Sequence, residues 1–196
     1  MERELKVFNA GGAFGKGDFA LSVCQPITQG FTGSQRIGDH IRVKKIVIRV
    51  SLDWGANGEQ SYSSTLRWLF LQDKRGLFSD VSFFNNVYDE TVSTVTPMEV
   101  FNPSNVNRFA ILHDSFNILK QEAQYSVYEP VWRYVPTVSP FAWSRVFTFD
   151  NLDVVVAYPT VGSALNNLVF MMTQSDPLDQ LSGTYYTTSV WFEDVY

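Results

Sequence analysis

An all-β protein with its strands in two packed sheets is the fold this sequence predicts, on three observations. The first is a long alternating stretch, in which Ile46, Ile48, Val50, Leu52 and Trp54 interleave with Lys45, Val47, Arg49, Ser51 and Asp53. A period of two residues puts one face of a strand inside and leaves the other facing water or a partner. The second is that apolar segments recur along the chain between turn-forming residues, none with a helical period over ten residues or more. The third is composition: aromatic residues are 15% of the 196, and Phe, Tyr, Val and Thr are abundant, which favours strands.

Taken in order, residues Met1 to Asp18 hold Gly11, Gly12, Gly15 and Gly17 and read as a mobile N-terminal arm. Gly15-Lys16 does not make a phosphate loop, because Ala10 and Gly17 stand where that pattern needs Gly and Ser or Thr. Eight strand-like segments follow, at 19–29, 40–54, 64–73, 107–119, 125–135, 145–158, 165–175 and 184–195. Pro26 inside the first marks an edge position or a break. In the second, Ile41 and Val43 are out of phase with the run from Ile46, so a β-bulge near Lys44-Lys45 is expected. Gly55-Ala56-Asn57-Gly58 is a hairpin-type turn to the third segment. The connection from Lys74 to Val106 is long for a sandwich and reads as a contact surface with room for a short helix. Eight strands joined by long and short loops, with no helical core, predict an eight-stranded single jelly-roll sandwich of two four-stranded sheets. The domain division is an arm at 1–18 and one jelly-roll domain at 19–196.

Several segments are apolar on both faces: Trp68-Leu69-Phe70-Leu71, Val154-Val155-Val156-Ala157 and Leu168-Val169-Phe170-Met171-Met172. In a two-layer sandwich one face of each strand should meet solvent. These runs therefore predict a cover over the outer face, either the chain's own loops or another subunit.

Charge and cysteine content narrow the chemistry. Charged residues are only 18% of the chain, below the usual quarter, as in subunits whose faces are covered by neighbours. Cys24 is the sole cysteine, so neither an intrachain disulfide nor a cysteine metal site is expected. No apolar run approaches membrane-spanning length, and no membrane partner is expected. The net charge is −5, and beyond Arg145 there is no Lys or Arg while six carboxylates remain. His40 and His113 are the only histidines. His113-Asp114 has the makings of an oriented imidazole, but neither Ser115 nor Cys24 lies in a nucleophile pattern. The expectation is a protein that is not an enzyme.

Three stretches stand in order: Arg36-Ile-Gly38-Asp39-His40-Ile41-Arg42-Val43, then Arg67-Trp68-Leu69-Phe70-Leu71-Gln72-Asp73, then Arg108-Phe109-Ala110-Ile111-Leu112-His113-Asp114. The last two each open on Arg and break at Asp. Together they resemble single-jelly-roll viral capsid proteins, the type of the satellite tobacco necrosis virus coat protein, with similar capsids in small circular single-stranded DNA viruses. The resemblance runs from about Val23 to Asp194. It implies a structural coat protein that self-assembles into a small icosahedral T=1 shell of about sixty copies. The expected setting is the virion, after synthesis in the host cytoplasm or nucleus. The alternative is a lectin-like or receptor-binding jelly-roll module that uses loop aromatics such as Trp54 and Trp132.

Two sets of site residues follow. Arg42, Lys44, Lys45 and Arg49 are the candidates for contact with a single-stranded nucleic acid genome. Capsid proteins of this type usually carry a basic arm, whereas here Arg3, Lys6 and Lys16 are offset by Glu2, Glu4 and Asp18, so weak genome contact is expected. No cofactor is required. The resemblance implies calcium at subunit interfaces, held by a carboxylate near the C-terminus, for which Glu193 and Asp194 are the candidates.

Overall fold

The alternating stretch becomes the central strand of one sheet. The protein is described by a computed structural model that covers residues 4–14, 19–54, 62–76, 83–88, 101–121, 141–160, 164–175 and 181–195. The strands are β1 (Lys6–Phe14), β2 (Phe19–Ser22), β3 (His40–Trp54), β4 (Tyr62–Asp73), β5 (Phe109–Gln121), β6 (Phe141–Phe149), β7 (Val154–Ala157), β8 (Asn167–Gln174) and β9 (Leu181–Asp194). A short helix α1 (Phe83–Val87) and a 3-10 turn at Pro103–Asn105 lie between β4 and β5.

All pairings are antiparallel, and the two sheets have five and four strands. One runs β1-β9-β3-β6 with β7 also on β3; the other runs β2-β8-β4-β5. The expected four plus four becomes five plus four among the described residues because Lys6–Phe14 adds a strand and the segment expected at 145–158 supplies two, while 125–135 lies outside the described residues. β6 pairs with Ile46–Trp54 and β7 with His40–Val43, so the two share one edge of β3 end to end. The segment expected as one strand at 145–158 is broken at Asn151, whose φ of 57° turns the chain. Opposite that break, the register of β3 against β9 shifts between Val43 and Lys45. This is the bulge that the phase reversal predicts, and Leu152 N donates to Lys44 O across it (3.0 Å).

Of the stretch 1–18 expected as a mobile arm, residues 1–3 and 15–18 lie outside the described residues. Lys6–Phe14 is a strand that pairs with β9 over its whole length. Gly11 and Gly12 allow close approach: a Cβ on Gly12 would meet the Tyr186 hydroxyl at 3.0 Å and its ring at 3.1 Å, and one on Gly11 the Tyr186 carbonyl at 3.1 Å. β2 lies at a sheet edge and ends at Ser22, before Pro26. The expected segment 125–135 and the turn at 55–58 lie outside the described residues.

Between the sheets, Ile41, Val43, Ile46, Ile48, Val50 and Leu52 of β3 meet Leu66, Trp68 and Phe70 of β4 and Leu168, Phe170 and Met172 of β8. The Trp68 ring stacks on Trp143 at 5.5 Å and on Phe170 at 5.7 Å, which ties β6 of one sheet to the other. The question of what covers the second apolar face is answered for β4 and β8. Leu69, Leu71, Val169 and Met171 point away from the core into a second cluster with Val87, Tyr88 and Phe109, flanked by Phe84 and Phe101. The chain's own β4–β5 connection is the cover.

Candidate functional site

The bulge at Lys44 decides where the four basic candidates stand. It restores phase so that Arg42 is level with Glu193 and Lys45 with Trp191, on the outer face of β3. Sequence spacing alone aligns only Lys45 and Arg49; the bulge adds Arg42 and Lys44 to their face. Carboxylates come with them. Lys44 Nζ lies 3.2 Å from Asp153 and 3.8 Å from Glu193, and Arg42 lies 3.6 Å from the same Asp153 oxygen. Lys45 pairs with Asp150 at 2.9 Å, its ammonium 5.5 Å from the Trp191 ring centre. Arg49 is exposed, and among the described residues it has no carboxylate partner. Among the described residues, three of the four cations thus meet three carboxylates, and Arg49 stands apart from that network.

The two calcium candidates point to opposite faces of β9. Glu193 is half-buried beside Lys44 on the outer face. Asp194 is buried, and both its oxygens are engaged: Ile37 N donates to Oδ1 (2.9 Å) and Lys6 Nζ pairs with Oδ2 (2.7 Å). Lys6 also donates to Gln35 O (2.9 Å). Adjacent residues of a strand face apart, so Glu193 and Asp194 of one chain cannot close on one ion. Among the described residues, no group of three or more His, Cys, Asp or Glu is gathered as a metal site.

His113 and Asp114 are likewise divided by β5. His113 faces inward, its Nε2 2.9 Å from Ser115 Oγ and its ring edge-on to Phe147 and Phe149. Burial pushes its pKa below the ordinary histidine value, the Arg145 charge pushes it further down, and Asp114 opposes both. Asp114 instead faces outward and holds Arg67 in a two-pronged pair, at 2.9 and 2.6 Å. No His–Asp dyad forms. Cys24 is buried, its thiol pushed up to about 12 by burial, which leaves it inert as a nucleophile.

Arg67 marks what sequence reasoning missed. It is buried on the outer face of β4, with its guanidinium carbon 4.8 Å from the Phe101 ring centre, 5.1 Å from Phe116 and 5.4 Å from Tyr88. Arg108 forms the matching pair with Asp73 through two bonds of 2.9 Å, and both side chains are buried. The sequence signal is the echoed spacing of Arg67 to Asp73 and Arg108 to Asp114. On these antiparallel neighbours, the Arg of each seven-residue stretch meets the Asp of the other.

Apolar surface remains exposed beside this cluster. Ile118 of β5 is 63% exposed and Phe116 47%, with Ile111, Leu112 and Val106 partly exposed alongside. Phe31, in the loop before β3, is 95% exposed. Of the rival's loop aromatics, Trp132 and the side chain of Trp54 lie outside the described residues. Among the described residues no helix is long and apolar enough to cross a membrane. The chain matches no protein-family model, and no curated protein is significantly similar to it.

Proposed function

We propose that this chain is a structural subunit that assembles with copies of itself into a closed shell, as a single-jelly-roll capsid protein. The nested strand pairing supports the jelly-roll reading. The first strand pairs with the last, β2 with β8, β3 with β6 and β7, and β4 with β5. A long antiparallel hairpin rolled into two sheets has this outside-in order.

The observation that carries assembly is the apolar stripe on β5. A soluble domain rarely leaves such residues contiguous unless another surface covers them. Among the described residues, the connection packs on β4, β8 and Phe109 at the start of β5, while Phe116 and Ile118 further along β5 stay exposed. Identical copies related by rotation axes bury such stripes repeatedly, and closure of the symmetry ends the growth. Many weak contacts then act together.

Sedimentation velocity and negative-stain electron microscopy of the purified chain test this. Closed particles of uniform size are expected, and Ile118→Asp should yield folded, unassembled subunits, because that side chain already meets water in the single chain. A monomer or trimer as the largest species of the unaltered chain would overturn the shell and favour the receptor- or glycan-binding module.

A further inference from the structure

We propose that Phe31, in the loop before β3, is an anchor that enters the open pocket at the start of β5 on a second copy of the chain, joining copies head to tail. A braced loop presents it. The two arms of the loop are cross-bonded, with Arg36 N donating to Thr28 O (3.1 Å) and Gly30 N to Arg36 O (2.9 Å). The tip closes through Gln35 N to Thr32 O (3.1 Å). The buried Lys6–Asp194 pair clamps the returning arm, since Lys6 Nζ also donates to Gln35 O and Asp194 Oδ1 accepts from Ile37 N. A ring that is 95% exposed on a loop held this way has little backbone freedom left to lose on binding. Among the described residues no other large apolar side chain is more than 65% exposed.

The receiving pocket lies between the 3-10 turn and β5. Buried Val87 and Phe109 are beneath it, and exposed Val106 and Ile111 stand at its rim. Asn102 and Asn105 on its wall are bonded within the connection: Ser104 N donates to Asn102 Oδ1 (2.9 Å), and Asn105 Nδ2 donates to Asn86 O (3.0 Å). Its volume of about 70 Å³ decides the class of occupant. Small-molecule sites measure about 300–1,000 Å³, and a closed cavity of about 150 Å³ holds one benzene. An open pocket roughly half as large as that cavity seats one edge of a single ring, not a cofactor or a sugar.

Knob and hole stand at opposite edges of the sandwich. Val7 N donates to Gly33 O (3.4 Å), which sets the loop beside β1 at one end of its sheet. β1 lies over β2, where Phe14 stacks on Phe19 at 4.3 Å, and β6 lies over β5, where His113 meets Phe147. The pocket is therefore at the far edge, and Phe31 does not fill it in its own chain. Neither Thr28–Gln35 nor the pocket lining holds a charged side chain, so contact strips no charge of its water. A second copy, unlike a foreign partner, brings knob and hole in equal number. The pocket also shares Ile111 with the exposed stripe of β5, so one neighbour can cover both. A head-to-tail contact closes into a ring when its rotation allows. That the partner is a second copy rests on the assembly reading above, and the test separates the two.

The test is covalent trapping in the full chain. Thr32→Cys and Asn107→Cys are exposed positions beside knob and hole that leave both intact. Together in one chain they should give, with a short bismaleimide, a ladder of dimers, trimers and longer products on a denaturing gel, because each copy carries one of each site. Cys24 is buried and does not compete. Either cysteine alone should give no ladder, and adding Phe31→Ala should abolish it. In sedimentation, Phe31→Ala should raise the concentration needed for assembly at least about thirtyfold, as truncation of an aromatic hot spot does. Phe31→Leu should keep part of the contact. A ladder that survives Phe31→Ala, products that stop at the dimer, an internally linked monomer, or no product beyond the single-cysteine controls would each overturn the contact. So would flotation on phosphatidylcholine vesicles that depends on Phe31 and comes without a ladder, which would make the occupant a bilayer. Closed particles that form equally well with Phe31→Ala sink this contact and leave the shell standing; a Phe31-dependent ladder from rings that never close into a shell does the reverse.

Discussion

The outer faces of the two sheets share one geometry and carry opposite chemistry. On the four-stranded sheet, Leu69, Leu71, Val169 and Met171 are covered by the β4–β5 connection, and ion pairs Arg67–Asp114 and Arg108–Asp73 frame that cover. On the five-stranded sheet the outer face is open, with Lys44, Lys45, Asp150 and Asp153 paired at the surface. The same interaction type thus occurs in two dielectric settings within one small domain. Its worth should differ accordingly, because desolvation decides what an ion pair contributes.

The largest difference is expected at Arg108–Asp73. Removing Arg108 leaves a carboxylate with no solvent exposure and, among the described residues, no counter-charge. Arg108→Ala should therefore cost about 3–5 kcal/mol in chemical denaturation. Replacing both partners together, as Arg108→Met with Asp73→Leu, should recover most of that loss. A single variant within about 0.5 kcal/mol of the parent would mean that water reaches Asp73 and that the connection is a loose cover.

Apolar truncation sharpens the same contrast. Leu71→Ala beneath the connection should cost about 2–5 kcal/mol. Val146→Ala, exposed on the open face, should stay within about 0.5 kcal/mol. Equal losses at the two sites would show that the open face is covered in solution, as the proposed assembly would cover it.

The pH dependence reaches between the faces, to the edge where β5 and β6 approach. His113 has a folded pKa below the ordinary 6.5, chiefly from burial and then from Arg145. The folded state therefore holds fewer protons near that pH than the unfolded state. Its contribution to stability is complete above about 6.5 and is lost as pH falls through the lowered folded value. Melting temperature should be flat from pH 8 to 7 and decline below 6.5, and His113→Gln should remove that part of the decline. A decline that persists unchanged in His113→Gln would place the titrating group elsewhere.

How much of this was legible in the sequence depends on the range of the interaction. Alternation from Ile46 to Trp54 is local, and it gave the central strand, its inner face and the bulge at Lys44. Gly11 and Gly12 are ambiguous in the sequence, because the same residue suits a mobile chain and a close approach to Tyr186. Only the partner strand distinguishes them. The basic candidates were found as residues, but the neutralisation of Arg42, Lys44 and Lys45 depends on Asp150, Asp153 and Glu193 from distant segments brought in by pairing. Glu193 and Asp194 looked like one pair of ligands because they are adjacent in the chain, and adjacency in a strand means opposite faces. The echoed spacing of Arg67–Asp73 and Arg108–Asp114 was visible as a pattern; its reciprocal meaning needed the antiparallel register of β4 on β5.

The smallest effect is expected at Lys45–Asp150, and it tests the open face most directly. Both groups are well exposed, at 40% and 53%, and their oxygen and nitrogen lie 2.9 Å apart. At the surface, side-chain ordering and screening offset most of the attraction, so exposed pairs couple by about 0–1 kcal/mol. A double-mutant cycle of Lys45→Ala and Asp150→Ala should give a coupling in that range. It should fade between low salt and 0.5 M salt, as the screening length shortens. Because the Lys45 ammonium also lies near the Trp191 ring, Lys45→Ala alone should cost slightly more than Asp150→Ala. A coupling of several kcal/mol that salt does not weaken would mean that these charges are desolvated in solution. The five-stranded face would then be covered like its counterpart.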